Sequence, residues 1–523
     1  MAAGWLERAI AAVSPATALR RERARVVLEL TRSYEAAQTS RRTEHWHRLG
    51  TDSNAVIGPA LSVIRAKARH LVRNNPYAES ALDTISTHVV GPYGIGTRHK
   101  STRAAEAWKR WSESTDCDAD GVNDFAGIQD LAFRTIAESG EVILRRRRRR
   151  LSDGFAVPLQ IQVLEPDYLD TSKSGTLPNG AGVIVHGVEF DAIGRRVAYW
   201  MFRDHPGAAT RVSSLVGASV RVPASEVSHA FKSTRAGQAR AISWFAPTLL
   251  KLSDFDEFDD ATLMKQKIAA CLAVFTRDVE GPDSPVGRGP RDPNADPLAD
   301  TLEPGMITRL QPGEDIEVVQ PPSTNEYAAF AKSQLQAIAT GLGVTYEDLT
   351  GDYTGLPYSA ARMSRMRHQR KVERWQWRIA VPRICMPVWQ WYAEAAVLAG
   401  VISEADAAPP EWITPPLPML DPDKEVAANR RAVRSGQKTP QMVLREAGLD
   451  PSEVIAQMAE WNRLIDAAGL VLDSDPRQMS EAGQKHAATA AASADAPSAA
   501  GGDTTPKDGA DAADAAESTG AEA

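Results

Sequence analysis

Apolar residues recur at helical spacing between residues 54 and 90: Leu61, Ile64, Ala68 and Leu71, then Ala78, Leu82, Ile85 and Val89. Arg73-Asn74-Asn75-Pro76 interrupts the run. A proline pushes the residue before it out of helical geometry and can itself start a helix, so two helices are predicted with the break at Asn75. The turn residues of Gly91–Gly96 close this unit. Trp108 and Trp111 precede another amphipathic stretch, Phe125–Glu138. Between residues 141 and 231 the pattern changes to short β-rich runs: 141–144, 157–164, 187–190, 197–202 and 220–222. Gly, Asp and Asn turns separate them. That predicts a mostly antiparallel region, with Gly194 at a hairpin turn.

The helical pattern returns over 243–278, where the acidic cluster Asp254–Asp260 is followed by Leu263, Met264, Ile268, Cys271, Leu272 and Phe275. Residues 279–324 are dense in Pro, Gly and Asp, with strand-like 306–310 and 316–319. A second helix is predicted over 325–342, a loop over 343–358, and a long helix over 359–399 kinked or broken at Pro382 and Pro387. Two or three more helices follow a Pro-rich link and run to Leu470. Residues 1–50 read as an Arg-rich peripheral arm. Residues 475–523 have almost no large apolar side chains and are expected to stay disordered.

Composition narrows the classes. The chain has 523 residues, 43% of them apolar and 24% charged, enough to bury a core over most of its length. Lysine and arginine number 60 against 67 acids, a net charge of −7, which excludes a globally basic coat. Eight acids and two lysines lie beyond residue 480, so nearly all the net charge belongs to the tail and the body is close to neutral. Local basic stripes therefore carry weight there. Cys117, Cys271 and Cys385 have no ligand spacing and read as reduced, buried thiols. No apolar run reaches the ~20 residues of a membrane helix, and the first residues do not read as a secretory signal.

Catalytic motifs are not found. There is no GxxxxGK[ST] phosphate loop, GxGxxG, HExxH or GxSxG, and His45 and His47 lack further ligands. No catalytic, cofactor or metal site is expected. The acids Asp254, Asp256, Glu257, Asp259 and Asp260 would suit a metal-dependent nuclease only if they converged, and on a helix they point around it.

Two basic features remain. Arg145–Arg150 ends a strand-like run, so Arg145, Arg147 and Arg149 share one face. Arg367, Lys371, Arg374 and Arg378 recur along one helical face, flanked by Arg362, Arg365 and Arg370. Each reads either as a charged surface paired with acids or as a sequence-independent contact with a phosphate backbone.

Taken in order along the chain, a further set of short motifs resembles the lambda-type portal proteins of tailed bacteriophages. They are Arg73–Pro76 leading to Val89-Val90-Gly91; Trp108 and Trp111 before Cys117–Gly121; Gly140-Glu141-Val142; Leu164–Asp167; and Gly187–Asp191 with Gly194-Arg195. Pro206, Val222-Pro223-Ala224, His229, Arg235–Gln238, Leu302–Gly305, Leu310–Glu314, Tyr358–Arg362 and Asp421–Glu425 complete the set. The match runs over roughly residues 30–470. The Arg145–Arg150 run and the Ala/Asp tail are departures from the pattern.

The resemblance implies an α+β portal-like fold. It has an N-terminal arm (1–50), a mixed helical and β wing (51–245, β-rich over 141–231), a first stem helix (246–278) and a small α/β clip (279–324). A second stem helix (325–342), a tunnel loop (343–358), a long kinked wing helix (359–399), a helical crown (400–474) and the tail (475–523) follow. It implies a homo-oligomeric ring, usually dodecameric, at one capsid vertex of the virion. The ring would be assembled in the bacterial host cytoplasm and would pass double-stranded DNA during packaging and ejection. Implied partners are the terminase large subunit, a head-completion or adaptor protein, and the major capsid and scaffold proteins, with no membrane. Tyr353, Tyr358, Arg362 and Arg365 become candidates for the channel and tunnel loop. Arg145, Arg147, Arg149, Arg367 and Lys371 become candidates for phosphate contact. The alternatives are a non-portal structural DNA-binding protein using its Arg-rich stripe, and a metal-dependent nuclease.

Overall fold

The computed structural model describes residues 50–208, 218–270, 274–278, 314–318, 327–416 and 421–470, with a few isolated positions besides. Almost all of the arm, the 279–313 and 319–326 stretches and the acidic tail lie outside the described residues, as does Cys271. The chain divides into a unit of residues 1–451 and a second of 452–523.

In the first unit, helices α1 (Ser53–Asn74) and α2 (Pro76–Val90) meet at Asn75. Asn75 is extended, and its side chain accepts hydrogen bonds from the Tyr77 and Ala78 amides. With Pro76 in the first turn of α2, one residue ends the first helix and caps the second. Strand β1 (Gly96–Arg98) and α3 (Thr102–Ser112) lead to α4 (Phe125–Ser139), which packs on α2. Gly140 ends α4 with φ +94°, and a Cβ there would lie 2.3 Å from the Ile242 carbonyl carbon. Only glycine fits that approach.

The β region forms two antiparallel sheets. β2 (Glu141–Arg148) is the centre of a three-stranded sheet, between β3 (Leu159–Leu164) and β9 (Val227–Phe231). Five strands follow one another in the second sheet: β4 (Gly175–Thr176), β5 (Gly182–Val185), β6 (Val188–Asp191), β7 (Arg196–Met201) and β8 (Val220–Pro223). Gly194 turns between β6 and β7 with φ +83°, where Asp191 accepts hydrogen bonds from the Ile193 and Arg195 amides.

Burial of Glu141 joins these parts. Its carboxylate is fully buried and accepts from Arg65 on α1 (3.2 Å), Arg240 (2.6 Å) and the Ala241 amide (3.1 Å). Arg196 donates to His229 Nδ1 (3.1 Å), so His229 carries its proton on Nε2 and donates it to Glu141 (2.9 Å). Burial alone would raise the pKa of Glu141, but Arg240 and His229 outweigh it and hold the carboxyl well below its usual range. Burial holds His229 neutral, at about 4, against the pull of Glu141.

Helix α5 (Leu249–Ala270) ends before the residue predicted from the sequence. Val274–Asp278, read as helical, is strand β10, paired antiparallel with β11 (Glu314–Val318). The β-branched and aromatic run Val274-Phe275-Thr276 favours an extended chain once a partner strand is present. Helix α6 (Tyr327–Leu342) packs on α5, with Phe258 against Tyr327 and Phe330.

The long helix is continuous but not uniform. α8 (Tyr358–Trp375) widens into a π-helical stretch, Gln376–Cys385, which holds Pro382, and resumes as α9 (Met386–Leu398). Proline cannot donate an amide, and the wider turn absorbs the lost bond. On α9, Trp389 and Tyr392 pack against Trp108 at 5.2 and 4.9 Å between ring centroids. Such contacts make one core that runs from α2 and α4 through β2 and β3 to α6, α8 and α9. A smaller core, with Val188, Tyr199, Met201 and Val222, lies under the second sheet. Cys117 and Cys385 are buried free thiols. Strand β12 (Glu411–Ile413) pairs with β1, and helices α10 (Pro422–Arg434) and α11 (Pro440–Glu446) follow.

The second unit is dominated by α12 (Pro451–Ala468). Gly469 ends it with φ +63°, and Arg477 forks to Asp466 and Asp475.

Candidate nucleic-acid interface

The segment after α6 is not wholly a loop. Gly343 ends α6 with φ +89°, and the Gly343 and Val344 amides both donate to the Ala339 carbonyl. Thr345 then caps a short helix α7 (Tyr346–Thr350), accepting from the Asp348 amide at 3.0 Å. Acids in a first turn with a threonine cap favour helix, which the Gly-rich flanks obscured in the sequence. Beyond Gly351, Asp352 accepts hydrogen bonds from the Thr354 amide (3.0 Å) and the Tyr346 hydroxyl (3.0 Å). This turn presents Tyr353 to solvent. Tyr358 opens α8, half exposed, with the Lys424 ammonium 5.6 Å from its ring centre. Arg362 is exposed, and Arg365 is half-buried with a partner of its own. Asp421 is held below its usual range first by Lys424, with Arg362 contributing.

Farther along α8 the packing face and the charged face separate. His368, Val372 and Trp375 are buried, while Arg367, Arg370 and Arg374 are exposed, as is Arg378 beyond them. These four arginines make no ion pair among the described residues. Lys371 donates to the Gly343 carbonyl at 3.1 Å, tying α8 to the end of α6. Its pKa is lowered by burial and then by Arg367. Lys232, just after β9, is lowered by burial and then by Arg374 and Lys371. Lys232 also sits 4.5 Å over Trp244, whose ring packs on Trp375 at 5.0 Å. Cations that depress one another mark a surface that takes anions, with Glu373 on α8 and Glu347 on α7 as acids beside it. A cavity of about 350 Å³ opens at its edge, with Thr340, Tyr346, Glu347, Ser364, Arg367 and Lys371 in its wall. Lys232 had no sequence signal, because only the fold brings it to α8.

The second basic feature is built differently. Arg146 is buried and donates to Glu394 on α9 (2.6 Å), and Arg148 pairs with Glu226 (2.6 Å). On the other face, Arg147 and Arg149 donate to the amide oxygens of Gln162 (2.8 Å) and Gln160 (2.7 Å). The pKa of Arg147 is lowered by burial, then by Arg145 and Arg149; for Arg145, burial outweighs the attraction of Glu226. The alternation of the strand thus sorts the run into an acid-paired face and one held mainly by neutral amides.

The α5 acids do not converge. Asp254, Asp256, Glu257 and Asp260 are exposed, Asp256 accepts from Asn75 (3.2 Å), and Asp259 accepts from the Tyr327 hydroxyl. Among the described residues they form no group close enough to hold a metal ion. No described helix is long and apolar enough to cross a membrane.

The family described as phage portal protein, lambda family, matches residues 39–376. The probable portal protein of Halomonas phage phiHAP-1 is 27% identical over 464 residues, covering 84% of this chain and 88% of the relative. Portal protein B of Escherichia phage lambda is 23% identical over 483 residues, covering 81% and 88%. Among solved structures, the neck of a native GTA particle, computed with C12 symmetry, aligns at 16% identity and a TM-score of 0.44. It covers 76% of this chain and 99% of that one.

Proposed function

The chain belongs to the lambda family of phage portal proteins, and from that premise we propose how its residues meet DNA and its partners. Portal proteins are structural, and their general role is to pass DNA through the capsid vertex. We infer that copies of this chain close into a ring, with a dodecamer as the expected count. Double-stranded DNA then runs past the 343–358 segment and the start of α8. Tyr353, Tyr358, Arg362 and Arg365 approach the duplex there, and Arg367 and Lys371 add phosphate contacts. Arg145, Arg147 and Arg149 are a second candidate contact. The 279–324 stretch would serve as the clip that meets the terminase large subunit and later a head-completion protein. Capsid and scaffold proteins would surround the ring, which assembles in the host cytoplasm.

The exposed row Arg367, Arg370, Arg374 and Arg378, which makes no ion pair among the described residues, is the observation that carries this reading. A conduit must attract DNA without gripping it, because each phosphate contact adds salt-dependent affinity. A near-neutral body with one exposed row of unpaired arginines, and a row of exposed acids on α5, meets that requirement. The test is the double substitution Arg362→Ala and Arg365→Ala. Rings should still assemble, while packaging or retention of DNA falls. Normal packaging in that variant would remove the assignment.

A further inference from the structure

Three side chains outside the cationic face converge where α2, α7 and α8 meet. Ser80, Thr84 and His88 recur every four residues and therefore share one face of α2. Ser80 donates to the Leu349 carbonyl (2.9 Å) and Thr84 to the Asp348 carbonyl (3.4 Å), which clamps α7 onto that face. His88 then meets His368 of α8, with Nδ1 of one ring 2.8 Å from Nε2 of the other. The Asp348 carboxylate completes the group, and one ligand atom from each residue lies within 4.8 Å of the other two.

We propose that His88, Asp348 and His368 bind a borderline divalent transition ion of the zinc class, which pins the 346–350 turn and α8 to α2.

The ligand set is two imidazoles and one carboxylate, with room in the coordination sphere for water. That set suits Zn²⁺, Co²⁺ or Ni²⁺, whereas Mg²⁺ and Ca²⁺ prefer oxygen. Around a tetrahedral ion with metal–nitrogen bonds of about 2.0–2.1 Å, two ligand nitrogens lie about 3.3 Å apart. The observed 2.8 Å therefore needs only a small outward shift of each ring. The alternative occupant of the gap is a shared proton. It leaves the His368 ring, 3% exposed, with that one bond and the nearby Gly343 backbone as its polar contacts. A single imidazole–imidazole hydrogen bond is weak compensation for that burial. In the other mixed group, Glu165, Asp167 and His205, Arg65 and Arg69 pair directly with the acids, whereas at the proposed site Arg365 and Lys371 lie near the imidazoles.

The proposal does not rest on the portal reading, and its test needs no phage. Full-length, untagged protein is stripped with EDTA and titrated with Co²⁺, then back-titrated with Zn²⁺. One Co²⁺ per chain should bind, giving visible d–d absorption that Zn²⁺ abolishes. His368→Ala and the half-exposed His88→Ala should each weaken Zn²⁺ binding by more than roughly the 10–100-fold lost with an outer-shell partner. Asp348→Asn should shift the Co²⁺ spectrum and weaken binding. His88→Ala keeps the test decisive should the buried His368 variant fail to fold. Absence of saturable Co²⁺ absorption, or binding unchanged in His88→Ala, would overturn the proposal and leave a hydrogen-bonded imidazole pair.

Discussion

Replacing Glu141 by Gln keeps the shape of the side chain and removes its charge at a site with no solvent access. Arg240, fully buried, would lose its carboxylate and keep only the carbonyls of His186 (2.7 Å) and Pro166 (3.3 Å). Arg65 would keep Asp167 at 3.1 Å, so one of the two buried guanidiniums retains a counter-ion. The new amide would also turn its NH₂ toward His229, Ala241 or the arginines, all of them donors. Breaking a buried pair from one side typically costs 3–5 kcal/mol, and the surviving Asp167 contact places this case at about 3–4 kcal/mol. Set against a total stability of about 5–15 kcal/mol, that is a large fraction. The assay is denaturant unfolding followed by tryptophan fluorescence at fixed protein concentration, because assembly contributes to apparent stability. Arg240→Met and the double variant complete the cycle. The double variant should lose less than the sum of the two single losses, by about 1–3 kcal/mol. A Glu141→Gln loss below about 1 kcal/mol, or strict additivity, would refute the argument that this carboxylate holds α1, β2 and β9 together.

Stability should also fall in acid. The native state holds His229 at about 4, so between its unfolded value near 6.5 and that point the unfolded chain binds a proton that the folded chain refuses. The loss begins as pH falls through about 6.5 and grows by about 1.4 kcal/mol per pH unit for His229. His99, lowered to about 4 by burial, adds in the same direction, and Glu141, held low, adds once pH falls below its unfolded value. A denaturation midpoint that does not move between about pH 7.5 and pH 5 would contradict this. Gly140→Ala should cost more than about 3 kcal/mol, since it combines left-handed strain with a backbone overlap at Ile242. A variant that unfolds at the parental denaturant concentration would show that the approach relaxes easily.

Local rules made much of this architecture legible. Asn75-Pro76 announces its helix junction because both residues have few conformational choices. The short β-rich runs 141–144 and 157–164 and the Gly194 turn announce an antiparallel region, because turn residues punctuate them. What escaped depends on distant partners. Val274–Asp278 continues an apolar helical pattern and becomes a strand where Glu314–Val318 lies beside it. Val227–Phe231, short and containing His229, shows little pattern of its own, yet it completes the sheet around β2. The sequence places Arg145–Arg150 on a strand but does not say which face finds acids, since Glu394 and Glu226 come from other elements. His88, Asp348 and His368 obey no spacing rule, because three separate elements supply them. Lys232 joins the cationic face only through the contact of Trp244 with Trp375.

The central claim is that copies of this chain enclose a DNA passage lined by the 343–358 segment and α8. Electron microscopy of the purified full-length protein, with light-scattering mass on the same sample and duplex DNA added, tests it most directly. The account predicts closed rings with a central opening wide enough for duplex DNA and only weak, salt-sensitive affinity for it. A chain that stays monomeric while binding duplex DNA tightly, or rings too narrow to admit it, would contradict the account.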